Sequence, residues 1–101
     1  MDIQHQQFMN GGSFYVGTSH DDPIAEMTYR RVGPILFVDH TQVDESLQGQ
    51  GAARALLDAA VAFARAHDEK IVPLCPYAHG QFEKDPSLAD VLADLPRQIA
   101  R

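Results

Sequence analysis

The sequence predicts a mixed α/β (α+β) fold: an antiparallel three-strand meander, a central helix, a splayed parallel strand and short C-terminal helices. Three observations carry that expectation. β-rich runs joined by short turn signals fill residues 13–43. From residue 51 to 67 the apolar period changes to that of a helix. A short apolar run at residues 70–75 then follows, at the distance a crossover connection needs.

Residues 1–12 are polar and read as a flexible or edge segment ending at Gly11 and Gly12. Residues 13–18 carry Phe14, Tyr15 and Val16, which suit a pleated, half-buried surface, and form the first strand. Ser19, His20, Asp21, Asp22 and Pro23 are turn formers. In the second strand Ile24, Glu26, Thr28 and Arg30 alternate with Ala25, Met27, Tyr29 and Arg31, so each set lines one face. Gly33 and Pro34 turn the chain, and Ile35, Leu36, Phe37 and Val38 open a third strand that runs to Val43.

In the helical stretch Leu56, Leu57, Ala60, Phe63, Ala64 and His67 share one face, while Arg54 and Asp58 make an i,i+4 pair on the other side. Ile71, Val72 and Leu74 form a short strand. Pro73 cannot donate to a ladder, so this strand lies at an edge or splays from its neighbour there. Residues 77–84 and 87–95 read as helical, with Pro86 in the first turn of the second. A strand–helix–strand connection makes the flanking strands parallel, with a right-handed crossover.

The 101 residues leave no room for a second core, so residues 1–101 are expected to form one domain. Apolar residues make up 45%, enough to build a core and to exclude global disorder. Lys and Arg number 8 against 14 Asp and Glu, a formal charge of -6 with no basic stripe of the kind nucleic acids need. An acidic balance fits a neutral or cationic partner, such as an amine. The one cysteine, Cys75, rules out an internal disulfide and fits a reducing compartment. No apolar run approaches the roughly 20 residues that cross a bilayer, and the N-terminus has no signal architecture. The expectation is a cytoplasmic protein with neither nucleic-acid nor membrane partners. His5, His20, His67 and His79 have no metal-ligand spacing, so no metal is implied.

The hexapeptide Gln48-Gly49-Gln50-Gly51-Ala52-Ala53 joins a strand to the helix. Gly49 and Gly51 let backbone N–H groups approach a ligand, and the helix aims its free amides and positive dipole end at the same point. Such a turn is an anion site, usually for a diphosphate. A P-loop would need Gly, four residues, then Gly-Lys-Ser/Thr, and no such run exists. A dinucleotide fingerprint would need a small residue where Arg54 stands and a second mononucleotide half.

The pattern Gln or Arg, two residues, Gly, one residue, Gly or Ala is matched in full by this hexapeptide. Residues 40–51 and 70–77 (Lys70-Ile71-Val72-Pro73-Leu74-Cys75-Pro76-Tyr77) add a second motif at the right separation. Over residues 14 to about 92 the chain resembles the GNAT superfamily of N-acetyltransferases, in particular its compact YjdJ-type small domains. The resemblance implies that acetyl-CoA (coenzyme A) is bound and that acetyl passes to an amine by direct attack in a ternary complex. It implies that Thr41, Gln42 and Val43 border the pantetheine arm, that Gln48, Gly49, Gln50, Gly51, Ala52 and Ala53 form the diphosphate site, and that the strand around Pro73 splays to admit the thioester. The helices that larger members carry between their first two strands are replaced here by residues 19–23, so the acceptor side should be open to a small molecule, a peptide or a protein lysine.

Amine attack on a thioester needs a base near neutrality, because a free lysine amine has a pKa of about 10.4. His40 is a candidate base or a core or sheet-face histidine with a satisfied hydrogen bond. Cys75, across the splay, is a candidate acetyl-accepting nucleophile or a packing residue. Tyr77, the nearest phenol, is a further catalytic candidate; the later helix offers Phe82 and no tyrosine, so the general-acid position of related enzymes does not transfer. Arg54, Lys70 and Lys84 are candidates for the 3'-phosphate or simply solvated cations. A second reading keeps the coenzyme site in a binding or interaction module with little catalysis.

Overall fold

The computed structural model describes residues 1–94. In chain order its elements are β1 (Gln4–Phe8), β2 (Gly11–Val16), β3 (Ala25–Val32), β4 (Ile35–Val43), a 3-10 turn (Glu45–Leu47), α1 (Ala52–Ala66), β5 (Lys70–Pro73), α2 (Pro76–Lys84) and a second 3-10 segment (Pro86–Val91). The five strands form one sheet in the order β1-β2-β3-β4-β5. β1 to β4 pair antiparallel, and β5 pairs parallel to β4 after the α1 crossover. Of the two states open to the first residues, the edge strand is the one adopted. Gln4 to Phe8 extend the meander by a fourth strand, with Gln4 opposite Tyr15 and Phe8 opposite Gly11.

Period-two alternation sets the buried face. Ala25, Met27 and Tyr29 of β3 and Leu36 and Val38 of β4 are buried, while Arg30 and Asp39 on the other face are exposed. α1 lies on the buried face with Leu56, Leu57, Ala60 and Ala64 inward, and with Ala52 and Val61 widening the stripe. Phe63 is partly buried and packs against this core, and His67, the C-cap residue beyond the end of α1, is exposed.

Two irregularities shape the end of β4. Thr28 pairs with His40 but Tyr29 pairs with Val38, leaving Asp39 as the extra residue of a β-bulge. The Thr28 hydroxyl donates to Asp39 Oδ1 at 2.7 Å and holds the bulge from β3. On the other side β5 stops at Pro73 opposite Val38. Pro73 has no N–H to continue the ladder, and the amides of Leu74 and Cys75 both donate to Val38 O, at 2.8 and 3.0 Å. The chain then turns into α2 while β4 runs on to Val43, so the strands part as a fork.

The C-terminal region departs from the helix expected over residues 87–95. Asp85 caps a 3-10 segment, Pro86–Val91, through Ser87 N, and the chain then makes one parallel bridge from Leu92 to Ile71. Residue 95 lies outside the described residues.

Candidate functional site

The fork between β4 and β5 is lined by backbone. Asp44 N donates to Ile24 O at 2.8 Å. Alternation along the ladder therefore turns the backbone groups of Gln42 and His40 toward β3 and those of Thr41 and Val43 toward the fork. The Gln48 side-chain amide donates to Val43 O at 3.1 Å and closes the far end of this edge. Extended chain carrying amides fits such an edge as an added strand does.

The hexapeptide follows at that end. Asp44 caps the 3-10 turn by accepting from Ser46 N; the Ser46 side chain first and its backbone amide second hold the carboxyl below the usual range, and the amides of Gln48 and Gln50 fold back onto Glu45 and Leu47 carbonyls. Gly49 and Gly51 have φ of 78° and 75°, in the left-handed region that disfavours any side chain. Gly51 is the N-cap of α1 without a side-chain cap, so the first amides of the helix point outward unshielded. A Cβ built on Gly49 or Gly51 meets nothing within 4 Å. The glycines face a cavity of about 210 Å³ lined by Val43, Leu47, Gln48, Gly49, Gly51, Ala52, Ala53, Arg54 and Tyr77. The helix dipole and the open amides favour negative charge at this point.

At the closed end of the fork Cys75 is buried, its Sγ 3.1 Å from Thr41 Oγ1. It is also the N-cap of α2 and accepts from Ala78 N at 3.4 Å, with Pro76 at the first helical position. Tyr77 lines the cavity at the start of α2. Burial pushes its phenol above the ordinary value, opposed by the nearby Arg54 charge, so it stays protonated at neutral pH. His40 is exposed beside the bulge, and its Nε2 lies 3.3 Å from Gln42 Oε1. Thr41 turns toward Cys75, so its neighbour His40 faces the opposite side of the sheet. The structure thus brings Thr41, Cys75, Tyr77 and the glycine turn to one side of the fork and places His40 on the other.

Arg54, a cation on the cavity wall, makes one hydrogen bond from each of its three nitrogens. Nε donates to Asp58 at 2.8 Å, Nη1 to Gln81 at 2.8 Å and Nη2 to Asp85 at 2.5 Å. Ser87 first and Arg54 second hold the Asp85 carboxyl at about 2, and the two carboxylates raise the guanidinium in turn. The Asp58 contact is legible as an i,i+4 pair. Asp85 and Gln81 lie too far along the chain for any sequence spacing to find them. Lys70 is spent on Asp90 O at 2.5 Å, on β5 away from the cavity. Among the described residues no group of three or more His, Cys, Asp or Glu could hold a metal ion, and no helix is long and apolar enough to cross a membrane.

A second cluster had no signal in the sequence. His5 of β1 stacks on Phe14 at 4.0 Å between ring centroids, meets Phe63 edge-on at 4.7 Å and has Nε2 2.7 Å from the Tyr29 hydroxyl. Arg31 pairs nearby with the buried Glu69. This cluster fastens the edge strand to the sheet and the end of α1.

The family model described as GCN5-related N-acetyl-transferase matches residues 13–91. A GCN5-like protein from Staphylococcus aureus, solved by NMR, is 37% identical, with 93% of this chain and 91% of that one covered at a TM-score of 0.71. The ribosomal-protein-alanine N-acetyltransferase from Brucella melitensis biovar Abortus shares the fold at 18% identity and a TM-score of 0.59, over 88% of this chain and 66% of its own. No curated protein matches at a comparable level.

Proposed function

This chain belongs to the GCN5-related N-acetyltransferase family, and on that basis we propose that it binds acetyl-CoA and transfers the acetyl group to an amine. The observation that carries the proposal is the junction of an open strand edge with an anion receptor. Thr41 and Val43 turn backbone toward the fork, and the fork ends at a glycine turn whose helix amides face a cavity of about 210 Å³. A pantetheine arm and a diphosphate have those two chemistries in that order. The coenzyme supplies an activated thioester carbonyl.

The chain's own residues then divide the work. Gly49, Gly51, Ala52 and Ala53 hold the diphosphate through backbone amides, and the Gln48 side chain keeps the turn closed onto Val43. Gln50 ties the turn to Ser46 O at 3.1 Å, and Gln42 orients the His40 ring. With Nε2 donating to Gln42, His40 keeps its Nδ1 lone pair for the proton of an incoming amine. His40 faces the outer side of the sheet, so the acceptor approaches opposite to the coenzyme. Tyr77, kept protonated by burial, is the proton donor to the leaving thiolate. Cys75 is bound into the cap of α2 and to Thr41, which supports a positioning role and direct transfer.

Calorimetric titration with acetyl-CoA tests the binding half. Release of free thiol from acetyl-CoA across a panel of amines and lysine peptides tests the transfer half. No binding would overturn the whole proposal. Binding without turnover on any acceptor would leave the coenzyme-binding module, which the exposed acceptor face also accommodates.

A further inference from the structure

Arg54 occupies the third helical position of α1, counted from the N-cap Gly51. A long side chain there leans by default toward the helix N-terminus, which here is the anion receptor. Its partners lie elsewhere. Asp58, one turn further on, takes Nε; Asp85 and Gln81, across the gap to α2 and its following cap, take the two terminal nitrogens. Each nitrogen of this cation on the cavity wall is thus held by a partner outside the glycine turn, and two of the three partners are carboxylates.

We infer that Asp58 and Asp85 set the affinity for the coenzyme by withholding Arg54 from its diphosphate. The inference rests on the reading of the cavity as the coenzyme site. Held in this way, Arg54 ties α1 to α2, and the diphosphate is left to neutral backbone donors. A freed guanidinium would add charge-assisted hydrogen bonds, roughly twice as strong as neutral ones. Withholding it keeps binding weak and release fast, an arrangement suited to a site that must exchange product for substrate at every turnover. The clamp also fixes the distance between the turn and Tyr77, because Tyr77 and Gln81 stand one turn apart on α2.

The test is titration of the intact protein with CoA and, in parallel, with pantetheine, which lacks the diphosphate. Asp58→Asn is the cleaner variant, since Asp58 is exposed and its carboxylate is engaged by Arg54. It is expected to tighten CoA binding by about threefold to tenfold, the size of one moderate charge-assisted contact. The gain should shrink with added salt. Pantetheine affinity should not change. Asp85→Asn is the second variant and should act in the same direction, although it also removes the cap on Ser87. In Arg54→Gln/Asp58→Asn the gain should vanish, separating release of Arg54 from a general loss of negative charge. If the wild type binds CoA and Asp58→Asn binds no tighter, or if the gain survives in the double variant, this inference is wrong and the coenzyme assignment stands. If the wild type does not bind CoA, the coenzyme assignment itself fails.

Discussion

Thr41 Oγ1 and Cys75 Sγ lie 3.1 Å apart, joining β4 to the start of α2 at the closed end of the fork. The contact places the cysteine beside the strand that borders the proposed thioester, yet it also uses the sulfur as a structural link. The sulfur also accepts from Ala78 N at 3.4 Å and so caps the first turn of α2.

Cys75→Ala is therefore expected to cost about 1 kcal/mol of stability, the worth of a helix cap, in thermal unfolding. Acetyl-CoA affinity and the order of magnitude of turnover should be retained. Full loss of transfer with binding intact would instead assign Cys75 to a covalent route.

Gly51→Arg is expected to abolish measurable coenzyme binding while the circular dichroism spectrum stays that of the wild type. A side chain at φ 75° is strained by roughly 1–2 kcal/mol, which the domain tolerates. Its atoms would enter the cavity rather than collide with protein, because nothing lies within 4 Å of the added Cβ. Unchanged affinity would take the turn out of the site.

His40→Ala is expected to lower turnover by about a hundredfold to ten-thousandfold, the range for a lost general base, with acetyl-CoA affinity unchanged. The loss should lie in kcat, with the KM for acetyl-CoA unchanged. A variant with wild-type turnover would show that a water chain or the acceptor itself manages the proton.

His5 makes stability depend on pH. Burial, then the charges of Arg31 and His67, lower its pKa below the ordinary 6.5, so the folded protein favours the neutral ring. As pH falls through 6.5 the unfolded chain takes up the proton first, and stability drops until the folded-state pKa is passed. Melting temperature is expected to fall between about pH 7.5 and 5.5, and less so in His5→Phe. Equal slopes in the two proteins would exclude His5 as the cause.

Much of this molecule is local information. Ala25, Met27 and Tyr29 bury one face of β3 because period-two alternation leaves no other choice, and Leu56, Leu57, Ala60 and Ala64 do the same for α1. Gly49 and Gly51 declare a left-handed turn because other residues resist that backbone. Pro73 announces where β5 must leave its neighbour, since it lacks the amide to stay. Residues distant along the chain decided the rest. Residues 4–8 look polar and aperiodic, and they become a strand because His5 finds Phe14, Tyr29 and Phe63. The helical pattern after Pro86 gives way to a 3-10 segment capped by Asp85.

The order of β2 to β5 with α1 between β4 and β5, and the glycine turn at residues 48–53, were legible in the chain alone, because backbone conformation and burial period are properties of neighbouring residues. Three outcomes waited on the folded molecule: that Asp39 would bulge, that His40 and Cys75 would fall on opposite sides of β4, and that Arg54 would be held by Asp85 instead of the turn it lines. Each is a pairing across space. Such pairings follow from register and packing, which no run of adjacent residues encodes.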